Sequence, residues 1–152
     1  MTTSETNESA VLERGSIQLG CESTDRDAAI AAVGGLLVER GLVTEAYIDA
    51  MLEREATVST YMGNGVALPH GTFDAKDEVM GTGIAVMQYP GGVEWPNGTA
   101  HLVVGLAANN NDHVAVLSAL AEVLQDEELC EQLWKTDDVD FVLRVLTDAE
   151  SE

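Results

Sequence analysis

The sequence is poor in positive charge. Among its 152 residues, Lys and Arg number 7 against 27 Asp and Glu, and the formal net charge at pH 7 is −20. A nucleic-acid backbone or an anionic membrane surface would repel such a chain, so nucleic-acid binding and attachment to a membrane surface are poor hypotheses. A basic protein partner is compatible with this charge. The acidic excess is typical either of a surface adapted to high salt or simply of a very soluble protein.

Cysteines and long apolar runs are also scarce. Cys21 and Cys130 lie far apart and form no CxxC pair. We therefore expect both to be reduced thiols in a cytoplasmic protein. No apolar run approaches the ~20 residues that a membrane-spanning helix needs, and the N-terminus has no apolar signal core. Direct membrane insertion is not expected.

The remaining composition is that of a globular domain. Hydrophobic residues make up 45% of the chain and charged residues 22%, and the length suits one domain. Residues 1–9 are polar and lack periodicity, which predicts a disordered N-terminal tail. The single domain is expected over residues 10–148.

Helices are predicted at both ends of this domain. Apolar residues recur at helical spacing over residues 25–40, where Thr24 and Asp27 resemble a capping box and Gly41 supplies a stop. Further helices are expected at 44–55, from a cap at Asn111 or Asp112 to about Leu124, at about 126–134 and at about 137–146.

Strands are predicted in the middle of the chain. Nearly continuous apolar runs at 66–68, 83–89 and 100–108 are typical of strands covered on both faces, with a weaker strand at 16–19. The Pro-Gly-Gly sequence at 90–92 predicts a turn. The fold class is therefore α/β, a single domain with a mixed parallel and antiparallel sheet flanked by helices on both sides.

Among three histidines, His70 has the most informative surroundings. Pro69 ends the predicted strand, so His70 lies just past it, at the sheet edge where α/β proteins usually bind ligands. Gly71 would let the backbone of another molecule come close. The alternative is a turn histidine that only caps the strand.

The other histidines are open to two interpretations each. His113 falls in the first turn of a predicted helix, where free N–H groups attract anions, but an exposed capping role would fit as well. His101 lies inside a predicted strand, which favours a structural or strand-edge residue over a functional one. No pair of histidines has HxH or HxxxH spacing, so neither a metal site nor a cofactor is predicted.

Arg54 is one of the few cations and lies between Glu53 and Glu55 on a predicted helix. Its guanidinium could bind a phosphate in bidentate fashion. The alternative is a surface i,i+4 partner of an acidic residue.

Four stretches of the sequence together resemble a known family. They are residues 50–55 (AMLERE), residues 61–63 (YMG) followed by 67–72 (ALPHGT), residues 88–93 (QYPGGV) and residues 105–113 (GLAANNNDH). In order and spacing they resemble the enzyme IIA component of the phosphoenolpyruvate-dependent sugar phosphotransferase system, mannitol/fructose class. The resemblance extends from about residue 17 to residue 146 and is greater to the mannitol-specific branch.

This resemblance implies a function and assigns residues to it. His70 would be the phosphorylated nucleophile, reacting through Nε2, with Arg54 and His113 as stabilisers of the phosphoryl group. The donor would be phospho-HPr, and the acceptor a cysteine of the IIB domain of a membrane mannitol permease, IIBC. No metal or cofactor would take part, and the chain would be a free-standing IIA protein.

Other functions are compatible with the same sequence. One is a fructose-type IIA, and another is a regulatory IIA module whose phosphorylation state controls a partner protein. A third is a plain α/β binding domain with an unreactive His70. If HPr is the partner, an apolar rim for its docking could come from Met62, Met80, Met87 or Trp95, each of which could equally belong to the core.

Overall fold

A five-stranded mixed sheet forms the centre of the molecule. The computed structural model describes residues 12, 14–71, 77–96, 98–107, 118 and 120–151. The strands are β1 (Ile17–Gln18), β2 (Tyr61–Gly63), β3 (Val66–Ala67), β4 (Gly83–Trp95) and β5 (Gly98–Ala107). Their order across the sheet is β1-β4-β5-β3-β2. The β1–β4 and β3–β5 pairs are parallel, and the β4–β5 and β2–β3 pairs are antiparallel.

Helices cover both faces of this sheet. They are α1 (Arg26–Glu39), α2 (Ala46–Thr57), α3 (Glu127–Lys135) and α4 (Val139–Ser151), and a 3₁₀ turn at Arg14–Ser16 precedes β1. No helix among the described residues is long and apolar enough to cross a membrane. The predicted fold class is confirmed.

Alternating side chains along β5 divide the core into two layers. Leu102, Val104 and Leu106 belong to the layer that contains the buried residues of α3 and α4. Val103 and Ala107 belong to the layer of α1 and α2. This alternation is the ordinary pleat of a strand, and here both faces are apolar because both are covered.

Glycine lets α1 pack closely in its layer. A Cβ at Gly105 of β5 would lie 3.0 Å from Val33 of α1, and one at Gly34 of α1 would lie 2.9 Å from Ile48 of α2. Small residues at these two positions therefore set the distance of α1 from the sheet and from α2.

The helix ends differ slightly from the prediction. The N-cap of α1 is Asp25 and not Thr24, because the Asp25 carboxylate accepts a hydrogen bond from the Ala28 N–H at 2.7 Å. Gly41, with φ of 75°, ends the helix as predicted. The second helix begins two residues later than expected, at Ala46.

The predicted turn at 90–92 is wrong. β4 continues through these residues to Trp95, and only its register with β5 shifts, between Gln88 and Val93. Gly92 has φ of 87°. Proline and glycine are here part of a bulge, where the ladder of hydrogen bonds is interrupted and Pro90 is exposed to solvent.

The hairpin of β2 and β3 was not predicted. Its turn is Asn64-Gly65, and both residues have positive φ, 55° and 79°. This is the backbone that a two-residue hairpin turn requires, and Asn-Gly is the preferred sequence for it. The Asn64 side chain also donates a hydrogen bond to the Leu124 carbonyl at 3.0 Å.

Toward the C-terminus, α3 begins after Asp126, whose carboxylate accepts from the Leu129 N–H at 3.1 Å. Of the helix predicted before α3, residues 118 and 120–123 are helical. Its predicted caps, Asn111 and Asp112, lie outside the described residues. The predicted tail at 1–9 does so as well, and the domain limits of 10–148 stay a prediction.

Gln88 ties the sheet to the C-terminal layer. The side chain of this buried residue of β4 donates to the carbonyls of Leu133 and Thr136 at 3.1 and 2.7 Å. The side-chain oxygen Oε1 of Gln88 accepts a hydrogen bond from the Gly20 N–H at 2.9 Å. One amide thus satisfies three backbone groups from two different segments.

We expect Gln88→Ala to lower the free energy of unfolding by about 2–4 kcal/mol, because three backbone groups lose their partner in or near the core. Urea denaturation followed by circular dichroism measures this. The matched control is Gln125→Ala at an exposed position, which should change the same free energy by less than about 0.5 kcal/mol. Equal denaturation midpoints for the two variants would contradict the assignment.

Candidate functional site

His70 lies where the sequence predicted it, after Leu68 and Pro69, which follow the end of β3. It forms an isolated parallel bridge with Leu106 of β5, and the Pro69 carbonyl accepts a hydrogen bond from the Leu106 N–H at 2.9 Å. Pairing between β3 and β5 therefore continues past the proline on its carbonyl side. His70 is held on the sheet and is 8% exposed.

A backbone carbonyl determines the tautomer of His70. Its Nδ1 lies 2.8 Å from the Leu68 oxygen. A carbonyl oxygen can only accept a hydrogen bond, so Nδ1 carries the proton and the lone pair of the neutral ring is on Nε2. The sequence did not reveal this orienting group, since any residue two positions before the histidine would supply the same carbonyl.

Tyr47 of α2 supports the backbone that follows His70. Its hydroxyl donates to the Leu106 carbonyl and accepts from the Gly71 N–H, both at 2.8 Å. Burial raises the pKa of Tyr47, an effect that the Gly71 hydrogen bond partly offsets. The phenol therefore keeps its proton at neutral pH and remains a donor to Leu106.

The close approach at Gly71 comes from this same tyrosine. A Cβ at Gly71 would lie 2.5 Å from Cε1 of the Tyr47 ring. Our interpretation that Gly71 leaves room for another molecule is therefore wrong. The glycine leaves room for Tyr47, and the sequence could not show which side chain packs there.

His70 and Arg54 line one cavity of about 330 Å³, which we call the His70 cavity. Its other lining residues come from the segment after α2, from β2, from the chain before His70 and from the helical residues before α3: Ser59, Thr60, Tyr61, Met62, Leu68, Ser118 and Ala121. The structure thus brings together two of the three predicted site residues. The third, His113, lies outside the described residues.

Arg54 is half-buried in the last turn of α2, and its Nη1 donates to the Val58 carbonyl at 2.7 Å. Among the described residues it forms no ion pair, so the alternative of a surface partner for an acidic neighbour receives no support. A guanidinium has five N–H donors. Arg54 can therefore hold Val58 and still offer N–H groups to an anion in the cavity.

His101 lines a different cavity, of about 490 Å³, together with Glu127, Glu131 and Trp134. Its ring stacks on that of Trp134 with 3.9 Å between centroids. Among the described residues, no group of three or more His, Cys, Asp and Glu could hold a metal ion.

Sequence reasoning missed the role of Glu55. This residue is 3% exposed, and its carboxylate accepts hydrogen bonds from the N–H and hydroxyl of Thr60 at 3.0 and 2.5 Å and from Nε1 of Trp95 at 2.8 Å. A signal existed, because Glu55 follows Met51 by four residues and Tyr47 by eight, on the buried face of α2.

Two of the four candidates for an apolar rim are exposed. Met62 lines the His70 cavity and is 43% exposed, and Met80 is also exposed but does not line it. Met87 is half-buried and Trp95 is buried in the core. Val58, which was not a candidate, is exposed and lies between Arg54 and the cavity residue Ser59.

Residues 10–149 match the family model described as "Phosphoenolpyruvate-dependent sugar phosphotransferase system, EIIA 2". The PTS system mannitol-specific EIICBA component of Pasteurella multocida is 46% identical over 90% of this chain, which spans 22% of that protein's length. The mannitol-specific phosphotransferase enzyme IIA component of Bacillus subtilis is 45% identical over 81% of this chain and 87% of its own.

A solved structure has the same fold. One chain in the NMR structure of the complex of enzyme IIAMTL and phosphorylated enzyme IIBMTL from Escherichia coli superimposes with a TM-score of 0.84. It is 41% identical, and the match covers 90% of this chain and 97% of that one. Because the family model matches residues 10–149, this chain belongs to the EIIA 2 family of the phosphoenolpyruvate-dependent sugar phosphotransferase system.

Proposed function

We propose that this chain is a mannitol-type phosphocarrier. In this role His70 accepts a phosphoryl group from phospho-HPr and passes it to a cysteine of a IIB domain. One observation carries the proposal: His70 has its Nδ1 bonded to the Leu68 carbonyl and lines a cavity together with Arg54. This arrangement combines a nucleophilic nitrogen of defined tautomer with a cation that can bind phosphate.

The chemistry follows from the tautomer. The Nε2 lone pair attacks phosphorus in line with the bond to the donor, the N–P bond forms and the bond to the donor breaks. The ring then carries positive charge, which the hydrogen bond from Nδ1 to the Leu68 carbonyl stabilises. In the second step a thiolate of IIB attacks the same phosphorus, and the N–P electron pair returns to Nε2.

Arg54 would stabilise the charge on the transferring group. Phosphoryl transfer needs positioning and electrostatic stabilisation more than covalent assistance from the protein. The guanidinium lines the cavity of His70 and retains donors beyond the one that binds Val58. We propose His113 as a second stabiliser, on the basis of the family resemblance.

The relatives support the choice of sugar and acceptor. Two relatives that are 45–46% identical are described as mannitol-specific, and the E. coli complex pairs a IIA with a phosphorylated IIB. The acceptor proposed for this chain is accordingly the IIB domain of a membrane mannitol permease. We propose a cytoplasmic location, where phospho-HPr is available.

Electrostatics favour a basic partner. With a net charge of −20, the chain attracts proteins that present positive charge, and this attraction weakens as salt screens it. Met62 offers an exposed apolar contact in the lining of the His70 cavity, and exposed Val58 directly precedes the lining residue Ser59 in the sequence. A partner with a small apolar face surrounded by basic residues would fit both features.

Incubation with phosphoenolpyruvate, enzyme I and HPr should attach one acid-labile, base-stable phosphoryl group to this protein. His70→Ala should abolish the adduct, because the nucleophile is removed. The control His101→Ala changes a histidine that lines a different cavity and should be labelled like the wild type. Intact-mass spectrometry measures the adduct, and an adduct on His70→Ala would refute the assignment of the nucleophile.

Arg54→Ala should slow phosphoryl transfer from phospho-HPr by roughly 10- to 1000-fold, the range expected for loss of one charge-stabilising donor. Quenched-flow measurement of the phosphorylated fraction gives this rate. Arg144→Ala, a change at an exposed arginine on α4, serves as control and should leave the rate unchanged. If both variants react at the wild-type rate, Arg54 has no part in the transfer.

The acceptor and the sugar are tested with labelled protein. We expect the phosphoryl group to pass to the IIB domain of a mannitol permease and to support phosphorylation of mannitol by that permease. Transfer to a fructose-type IIB instead would correct the sugar. A phosphorylated protein that reacts with neither IIB would contradict the transport function and favour the regulatory alternative.

A further inference from the structure

Glu55 takes no direct part in the proposed phosphoryl transfer, although the Glu55 carboxylate is almost fully buried. Among the described residues, all its hydrogen bonds go to Thr60 and Trp95, and no cation pairs with it. Burying an ionised carboxylate is costly unless hydrogen bonds compensate for the lost water. Three donors converge on this group, so the carboxylate fixes the groups that donate to it.

Thr60 is the residue most firmly held by these bonds. Its N–H and its hydroxyl both donate to Glu55, and its carbonyl accepts from the Leu68 N–H at 3.0 Å. Thr60 therefore joins the C-terminal end of α2 to the chain that leads into His70. The short segment between α2 and β2 is anchored at this residue.

The same segment contains the carbonyl that accepts a hydrogen bond from the Arg54 side chain. Val58, two residues before Thr60, has extended φ and ψ of −146° and 131° as the C-cap of α2, and its carbonyl accepts from Arg54 at 2.7 Å. The direction of this carbonyl depends on the path of the chain from Val58 to Thr60. One end of that path is held by the backbone bond of the Val58 N–H to the Arg54 carbonyl and the other by the two bonds of Thr60 to Glu55.

His70 depends less on Glu55 than Arg54 does. Its backbone is also held by the pairing of β3 with β5, by the hydrogen bond between Leu106 and Pro69, and by Tyr47. The only hydrogen bond that the described residues provide to the Arg54 side chain goes to Val58. A disturbance at Thr60 should therefore move the guanidinium before it moves the imidazole.

We propose that Glu55 is a positioning residue for phosphoryl transfer. It fixes Thr60 and thereby holds the Val58 carbonyl where Arg54 faces the cavity of His70. This inference rests on the proposed function, because its main consequence is a change in the rate of transfer to His70.

Two substitutions at Glu55 separate hydrogen bonding from charge. In Glu55→Gln, the amide oxygen can accept from the Thr60 and Trp95 N–H groups while the amide nitrogen donates to the Thr60 hydroxyl oxygen. We therefore expect this variant to transfer phosphate at close to the wild-type rate. Glu55→Ala loses every one of these bonds and should slow transfer by roughly 10- to 100-fold, the scale of a misplaced reacting group.

The matched control is Glu53→Ala. Glu53 flanks Arg54 on its other side, on the same helix, and is exposed. Its substitution removes a carboxylate equally close in sequence and should leave the rate unchanged. A comparable slowing in Glu53→Ala would show that net charge near Arg54, and not the Thr60 bonds, controls the rate.

A double-mutant cycle with Arg54 tests how Glu55 acts. If Glu55 acts through Arg54, Glu55→Ala should slow phosphoryl transfer in the wild-type background but should reduce the rate little further in the Arg54→Ala background. A merely structural role would reduce the rate by the same factor in both backgrounds, and that result would overturn the inference. The NMR resonance of the Trp95 indole N–H should shift in Glu55→Ala and report directly on the broken bond.

Thr60→Val provides a second route if Glu55→Ala does not fold. It removes only the hydroxyl and should slow transfer in the wild-type background but not in Arg54→Ala. If Glu55→Ala proves to be unfolded, an unchanged transfer rate for Thr60→Val would overturn the inference.

If the wild-type protein is not phosphorylated, the proposed function fails and the inference fails with it. If wild type is labelled and Glu55→Ala matches its rate, only the inference fails.

Discussion

The hydrogen bond from His70 Nδ1 to the Leu68 carbonyl is the constraint on which the site depends. It selects the tautomer, leaves the lone pair on Nε2 and orients the ring. The geometry of this hydrogen bond is fixed because both partners belong to one short stretch of chain that is paired with β5 on either side of Pro69. The backbone of this stretch thus supplies the hydrogen-bond acceptor that orients the imidazole, a role that an acidic side chain has in many other histidine sites.

Around this histidine, α2 contributes three residues with different tasks. Tyr47 supports the backbone after His70, Glu55 fixes Thr60, and Arg54 lines the cavity. Tyr47 and Glu55 point into the protein and Arg54 lines the His70 cavity, as the helical period allows. One helix therefore connects the buried framework to the His70 cavity.

The sequence predicted the fold class because its apolar runs were strong and nearly continuous. It failed where short-range signals had two interpretations. Pro-Gly-Gly at 90–92 is equally suited to a turn and to a bulge, and only pairing with β5 across the bulge shows which one forms. β2 was missed because three residues carry no usable periodicity, although Asn64-Gly65 was a hairpin signal.

By itself, the sequence determined the net acidic charge and the alternation of helices and strands, and its resemblance to a known family indicated His70 as the candidate nucleophile. Each of these depends on residue type and local order along the chain. Only the tertiary structure decided that Leu68 orients His70, that Arg54 shares its cavity, and that Gly71 accommodates Tyr47. These relations join residues of different elements, or depend on a backbone group whose direction local sequence does not specify. The relations of Arg54 and Tyr47 to the chain around His70 form only when α2 packs against the sheet, and the bond between His70 and Leu68 depends on the pairing of their stretch with β5.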